Sequence, residues 1–232
     1  MRRIIPPLAA LATALVTAGC FNPFSPVILS AQRVVSAAPS PTTAQNAVKL
    51  FQWCWVNRGV QEYRELFTDD FTFQSFETDS AGNAPRQILT RRNDEVETAQ
   101  NMFIGSAERP PAEKISLDFD PNLHAFPDTR PGKEDFNLHK TIRTSVNLRV
   151  KIDSDNEVDV TGYALFYLTR GDVAKIPGDT GLKPDPLRWW IDRWDDETLS
   201  GNNLVAGRAR PAAAQLVIRE TMAQFKARYQ TR

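Results

Sequence analysis

Hydrophobic and polar positions change period several times along the chain, and each change marks an element. From Thr42 or Thr43, either of which can cap a helix, apolar residues fall at Ala44, Ala47, Val48, Phe51, Cys54 and Trp55. That is one stripe at helical spacing, and Gly59 offers a C-terminal stop. "VQEYRELF" continues as a second, short helix with Val60, Tyr63, Leu66 and Phe67 on one side. After Asp69 and Asp70 the period becomes two: Phe71, Phe73 and Ser75 alternate with Thr72, Gln74 and Phe76, which predicts a strand. A turn-rich interval from Thr78 to Arg86 leads to a third helix over 91–103, its apolar face formed by Leu89, Val96, Ala99 and Phe103.

Strands dominate the second half. "KISLDF" alternates Ile115, Leu117 and Phe119, and a long Pro-punctuated loop follows. The clearest alternation is "TIRTSVNLRVKI", with Ile142, Thr144, Val146, Leu148, Val150 and Ile152 on one face and Arg143, Asn147, Arg149 and Lys151 on the other. This predicts a half-buried antiparallel strand. "DSDNE" turns it back into "VDVTGYALFYLTR", where Gly162 predicts a bend or bulge. A second long loop precedes "LRWWIDRW". The tail ends in "PAAAQLVIRETMAQFKARYQ", whose Ala214, Ile218, Met222, Phe225 and Tyr229 predict an amphipathic helix started by Pro211. There is no internal repeat.

The first residues follow another pattern. "MRR" is basic, and the uncharged "IIPPLAALATALVTAG" is too short for a membrane span, which takes about 20 residues. The layout is that of a secretory signal. It closes in "LVTAGC", which resembles the lipobox of bacterial lipoproteins: Ala18 and Gly19 precede Cys20, and Thr17 stands where leucine is more usual. The resemblance implies a signal peptide over 1–19, a lipid on Cys20 and, with Phe21 rather than aspartate next, an outer-membrane lipoprotein facing the periplasm. A plain signal peptide cut before an incidental cysteine is the alternative. Residues 20–42, rich in Pro, Ser and Ala, read as the lipidated cysteine and a flexible tether.

Composition narrows the function. The 232 residues include 28 basic and 28 acidic side chains, 41% hydrophobic residues and no long basic run, so a nucleic-acid partner is not expected. Loss of residues 1–19 leaves 26 basic against 28 acidic residues, with Cys20 and Cys54 as the only cysteines. A lipidated Cys20 leaves Cys54 without a disulfide partner, and an unpaired thiol there fits a buried small hydrophobe.

Helices first, then a hairpin-rich set of strands, is an α+β plan. Three features resemble the nuclear transport factor 2-like superfamily, which includes SnoaL-like polyketide cyclases and ketosteroid isomerases: "LFQWCWVNRGVQEYRELFTDDFTF", the long hairpin from Thr141 to Arg170, and the closing "WWIDRWDD". The resemblance covers 43–199 and implies a cone: a strongly curved antiparallel or mixed sheet with about three N-terminal helices on its concave face. Residues 200–232 then form a linker and the C-terminal amphipathic helix. With the lipobox, the pattern is similar to bacterial lipoproteins that carry such a domain, a subgroup that implies no reaction.

Enzymes of that superfamily place a general acid or base in an apolar cone. Asp192 is the candidate base, since it shares a strand face with Trp190 and Trp194. If Trp189, Ile191 and Arg193 point inward instead, Asp192 lies on the convex side. Trp55, Tyr63, Phe73 and Trp190 are candidate pocket lining, with solid core as the alternative. Asp69 and Asp70 read as turn carboxylates, His124 and His139 lie too far apart for a metal cluster or a triad, and "RGD" at 170–172 is a chance tripeptide. No cofactor and no metal is expected. Trp53 falls off the apolar stripe of its helix, so it either packs on another element or meets a partner. The tail helix either docks back, pairs two copies as a homodimer, or binds an envelope protein. The leading reading is a lipid-anchored, non-enzymatic domain of the bacterial envelope that uses a cone-shaped pocket or a sheet face to bind a small hydrophobic ligand or a protein. The alternatives are a SnoaL-like isomerase, cyclase or dehydratase and a structural protein of the envelope. A solvent-reachable cavity with an ionisable group at its base would favour binding or catalysis, and a filled cone would sink both.

Overall fold

The computed structural model describes residues 36–77, 86–171, 173–199 and 216–230, of which all but Ser36 belong to the compact unit Ala37–Arg232; the signal, Cys20 and most of the tether lie outside them. Helix α1, Ala44–Asn57, begins where the Thr43 hydroxyl accepts the Asn46 N–H at 3.1 Å. Every residue of the expected stripe is buried, joined by Leu50. The helix ends one residue earlier than Gly59 suggested, at Arg58, whose φ of 61° is left-handed. Its guanidinium holds it there by donating to the carbonyls of Phe103, Ala112 and Glu113. Helix α2 spans Val60–Arg64 and α3 spans Arg92–Ile104.

The strands are β1 Phe67–Glu77, β2 Arg86–Arg91, β3 Lys114–Asp118, β4 Phe126–Pro127, β5 His139–Lys151, β6 Asn156–Arg170, β7 Trp189–Thr198 and β8 Leu216–Arg219. They form one open mixed sheet in the order β2-β1-β7-β6-β5-β3, with β4 added to β5 and β8 to β6. The pairing of β1 with β7 and of β6 with β8 is parallel. Helices α1 and α3 pack on the sheet, which is the expected α+β arrangement. Alternation along β5 and β6 buries Ile142, Val146, Leu148, Val150, Val158, Val160, Phe166 and Leu168 against the helices. Phe51 is at the centre, its ring 5.1 Å from Trp194, 5.2 Å from Phe166 and 5.4 Å from Tyr63. Tilted and edge-on ring pairs at such spacings add to the area they bury.

Four local expectations are corrected. Residues 86–91 form β2, and Leu89 is an exposed strand residue rather than part of the α3 face. Asp69 and Asp70 lie within β1, not before it, on an irregular stretch where Phe67 pairs with Ile191 and Thr72 already with Arg193. Gly162 causes no register break in the β5–β6 hairpin. Its φ of 144° instead lets the end of β7 approach so closely that a Cβ would sit 2.6 Å from the Thr198 Cα. The tail is not one long helix: Leu216–Arg219 is β8, and only Met222–Ala227 forms helix α4. The Thr221 hydroxyl accepts the Gln224 N–H while the Gln224 side chain accepts the Thr221 N–H, a capping box that starts the helix there. Ala214 lies outside the described residues.

Candidate functional site

On the final strand Asp192 lies on the side away from the core that Trp189 and Ile191 join, although Arg193 does not follow those two inward. Trp189 and Ile191 join the core, as an unbroken alternation would have it; then the register shifts, and Trp194 joins the same core. The shift adds one residue to β7 between Ile191 and Arg193, opposite Tyr167 and Leu168. A bulge re-aims the residues that follow it. Asp192 occupies this extra position, away from the aromatic core. Trp190 is buried outside that core, with the Arg188 guanidinium 4.7 Å from its ring centroid.

Asp192 is one member of a chain of alternating charges. One of its oxygens accepts from Arg130 at 2.7 Å and the other from Lys175 at 3.2 Å. Arg130 also grips Asp128 through two nitrogens and stacks 4.2 Å from the Tyr167 ring centroid, and Lys175 reaches Asp70 at 2.9 Å. Burial would raise the Asp192 pKa, but the Arg130 and Lys175 cations outweigh it and hold the carboxyl below the usual carboxylate range. A carboxylate with both oxygens engaged and a depressed pKa is a poor proton acceptor. The network fastens the 120–138 loop, the 3₁₀ turn Val173–Lys175 and the irregular part of β1 to β7.

A second constellation fills the helix-covered face of the sheet. Lys226, on α4, is buried, with its Nζ 3.4 Å from the Phe73 ring centroid and 4.5 Å from that of Trp194. It pairs with buried Glu95 of α3, whose other oxygen accepts the Tyr63 hydroxyl at 2.7 Å. Nearby, Asp196 accepts from the Ser75 hydroxyl at 3.1 Å, the Thr198 hydroxyl at 2.6 Å and the Ala223 N–H at 3.3 Å, tying the first turn of α4 to β7. Burial lowers the Lys226 pKa against the pull of Glu95 and raises that of Asp196 against its hydrogen bonds. Burial, and then the Glu95 charge, push the Tyr63 phenol well up. Desolvated ammonium over aromatic faces, balanced by a carboxylate, is a satisfied arrangement.

Trp55, Tyr63 and Phe73 are all buried on this face. Their rings pack at 6.5 Å (Trp55–Tyr63) and 4.7 Å (Phe73–Trp194), and α4 lies against α3, β6 and β7. Clefts of about 220 to 310 Å³ on the described surface include one lined by Ile88, Thr90 and Thr98 and one lined by Lys114, Arg149 and Glu157. Trp53 is half-buried at the edge of the core and covers Gly59. Cys54 is buried, and burial pushes its thiol pKa far above the ordinary range. His124 is exposed and His139 half-buried; among the described residues no group of three or more His, Cys, Asp or Glu could hold a metal ion.

Sequence reasoning missed Glu95, Lys226 and Asp196, and on the outer network Arg130 and Lys175. A signal existed for two of them. Glu95 lies four residues before Ala99, and Lys226 four after Met222, each on the apolar stripe of its own helix.

No protein-family description and no curated protein matches the chain. Solved structures similar to it include a conserved protein from Planctomyces limnophilus, at 12% identity and a TM-score of 0.44 over 67% of this chain and 93% of that one. A nuclear transport factor 2-like superfamily protein from Salmonella enterica serovar Typhimurium follows at 11% identity and a TM-score of 0.43, over 71% and 94%. A hexachlorocyclohexane dehydrochlorinase from Novosphingobium barchaimii gives 9% and 0.43, over 72% and 92%. The Salmonella protein carries the superfamily name that the sequence resemblance gave. At these identities and scores no residue's role and no activity passes to this chain.

Proposed function

We propose that the chain is a lipid-anchored protein of the bacterial envelope whose domain is not an enzyme and acts by binding through its outer surface. The observation that carries this reading is Lys226. Its ammonium, paired with Glu95, lies over the Phe73 and Trp194 rings, beside Phe73 and Tyr63, two of the residues the sequence offered as pocket lining. A hydrophobic ligand entering there would have to displace α4 and strand a buried carboxylate. Asp192, the best candidate base in the sequence, is engaged by two cations on the other side of the strand, so the isomerase, cyclase or dehydratase alternative loses the base proposed for it. The anchor reading is supported by "LVTAGC" and the tether that follows it.

Two measurements test the proposal. Radiolabelled palmitate is expected in the wild-type chain and not in Cys20→Ser; label in both would refute lipidation at Cys20. Titration with hydrophobic probes of steroid size is expected to leave Trp fluorescence and the melting temperature unchanged. A saturable change accompanied by a higher melting temperature would refute the closed interior.

A further inference from the structure

We propose that the end of the domain at which the chain arrives from Cys20 rests on the membrane and buries a set of exposed apolar side chains in the lipid headgroup region; this rests on the lipid-anchor reading above. The point of arrival is fixed, because the Pro41 carbonyl accepts the Trp189 N–H at 2.8 Å where β7 begins. Around this point other loops converge. The Leu138 carbonyl accepts the Arg170 N–H at 2.9 Å, and the Arg188 carbonyl accepts the Gly171 N–H at 3.0 Å. Strand β4 brings Phe126 opposite Thr141 and Pro127 opposite Lys140, near the same end of β5.

Here the surface turns apolar. Phe126 is 57% exposed, Leu187 53%, and Phe136 and Leu138 43% each. Other large exposed hydrophobics among the described residues lie elsewhere, at Leu89 on β2, at Ile104 ending α3, at Tyr163 in the middle of β6 and at Leu199 just past the far end of β7. Isolated exposed hydrophobics need no explanation, but several gathered on one end mark a contact surface. The charges around them suit an interface. The Lys140 ammonium lies 4.6 Å from the Phe136 ring centroid and 4.9 Å from that of Trp189, and Arg170 is half-buried beside it. Long basic side chains of this kind keep their stems on apolar surface while their heads reach lipid phosphates. The acids of the same loops turn back on their own backbone: Glu134 accepts the Gly132 N–H, Asp135 the Asn137 N–H and Asp185 the Leu187 N–H.

Geometry supplies the control. The 13 residues of β5 rise by about 3.3 Å each, so the turn at its far end stands roughly 40 Å away. That turn carries Asp153 and Asp155, and exposed Ser154 between them. The segment from Cys20 to Pro41 spans at most about 75 Å when extended. The tether thus permits contact without imposing it, and the apolar end decides which way the domain faces.

The experiment uses the full lipidated chain in vesicles of phosphatidylethanolamine and phosphatidylglycerol containing doxyl-labelled lipid. A fluorophore is attached at Phe126→Cys, Leu187→Cys or Ser154→Cys; Cys20 is acylated and Cys54 is buried, so each label is single. The expected result is quenching at positions 126 and 187 several-fold stronger than at 154, lost when Phe136 and Leu138 are both replaced by Ser. Equal quenching at all three positions, or none at 126 and 187, overturns the proposal. So does dimerisation that shields 126 and 187 from lipid, which would make a second copy the occupant. Failure of the anchor reading shows separately, as absence of palmitate at Cys20. In that case the unlipidated Cys20→Ser protein, labelled at the same three positions and mixed with excess vesicles, still reads the face: quenching confined to 126 and 187 upholds it, and its absence overturns it.

Discussion

Lys226→Met tests the closed interior most directly. Methionine keeps most of the length and apolar volume of the lysine stem but removes the ammonium. Glu95 would then stay buried with the Tyr63 hydroxyl at 2.7 Å as its remaining donor, and Phe73 and Trp194 would lose the cation on their faces. Breaking a buried ion pair by removing one partner costs about 3 to 5 kcal/mol, because the surviving charge is left uncompensated. In a chain of this size each kcal/mol moves the melting temperature by about 2 to 4 °C, so a fall of about 6 to 20 °C is expected. The partner variant decides the cause. Glu95→Gln added to Lys226→Met removes the buried charge yet leaves the Gln carbonyl to accept from Tyr63, so the double variant should recover all but about 1 to 2 kcal/mol of the loss. Urea unfolding followed by Trp fluorescence reads all of these, and the cycle gives the coupling between the two positions. A Lys226→Met protein within about 0.5 kcal/mol of wild type, the ordinary range for surface substitutions, would refute the burial of this pair. Strictly additive losses in the double variant would refute its being a pair at all.

Two further outcomes follow from the same reasoning. Asp192→Asn should cost about 1.5 to 3 kcal/mol at neutral pH, the worth of hydrogen bonds to a charged group, since Arg130 keeps Asp128 and Lys175 keeps Asp70. The Asp192 carboxyl is held below its ordinary value of 3.8, so its contribution is present above that pH and is lost as pH falls through the lower, folded value. Wild type should therefore lose urea resistance more steeply than Asp192→Asn below about pH 4, and equal slopes would show that Asp192 is not the group responsible. Gly59→Ala places a Cβ 2.6 Å from the Trp53 Cζ3 at an ordinary φ of −77°, so it should cost about 1 to 3 kcal/mol by overpacking where an unhindered site would gain stability. Trp53→Leu in the same chain should remove most of that loss, and a Gly59→Ala protein more stable than wild type would mean that Trp53 does not lie there.

Local pattern was enough wherever one period ran long. The α1 stripe and the alternation of β5 are read correctly from residues alone, because each element's buried face is set by its own spacing. Pattern failed where two periods fit the same residues. Ile218 sits four residues from both Ala214 and Met222, so it completes a helical stripe, yet it belongs to the β-branched run of β8. The local feature that separates the readings is the capping box of Thr221 and Gln224, which starts a helix only after that strand. On β7 no spacing could help, because the extra residue at Asp192 changes the parity of everything after it, and a bulge is decided by the neighbouring strand. The interior site was hidden for a different reason. A charge on an apolar stripe looks like an imperfection of one helix, although burying it alone would cost several kcal/mol. Two such charges of opposite sign, on helices 131 residues apart in pairing, explain each other. Glu95 makes sense in the core only if a cation reaches it, and Lys226 only if an anion does. The stripes of α3 and α4, taken together, place the C-terminal helix on the core.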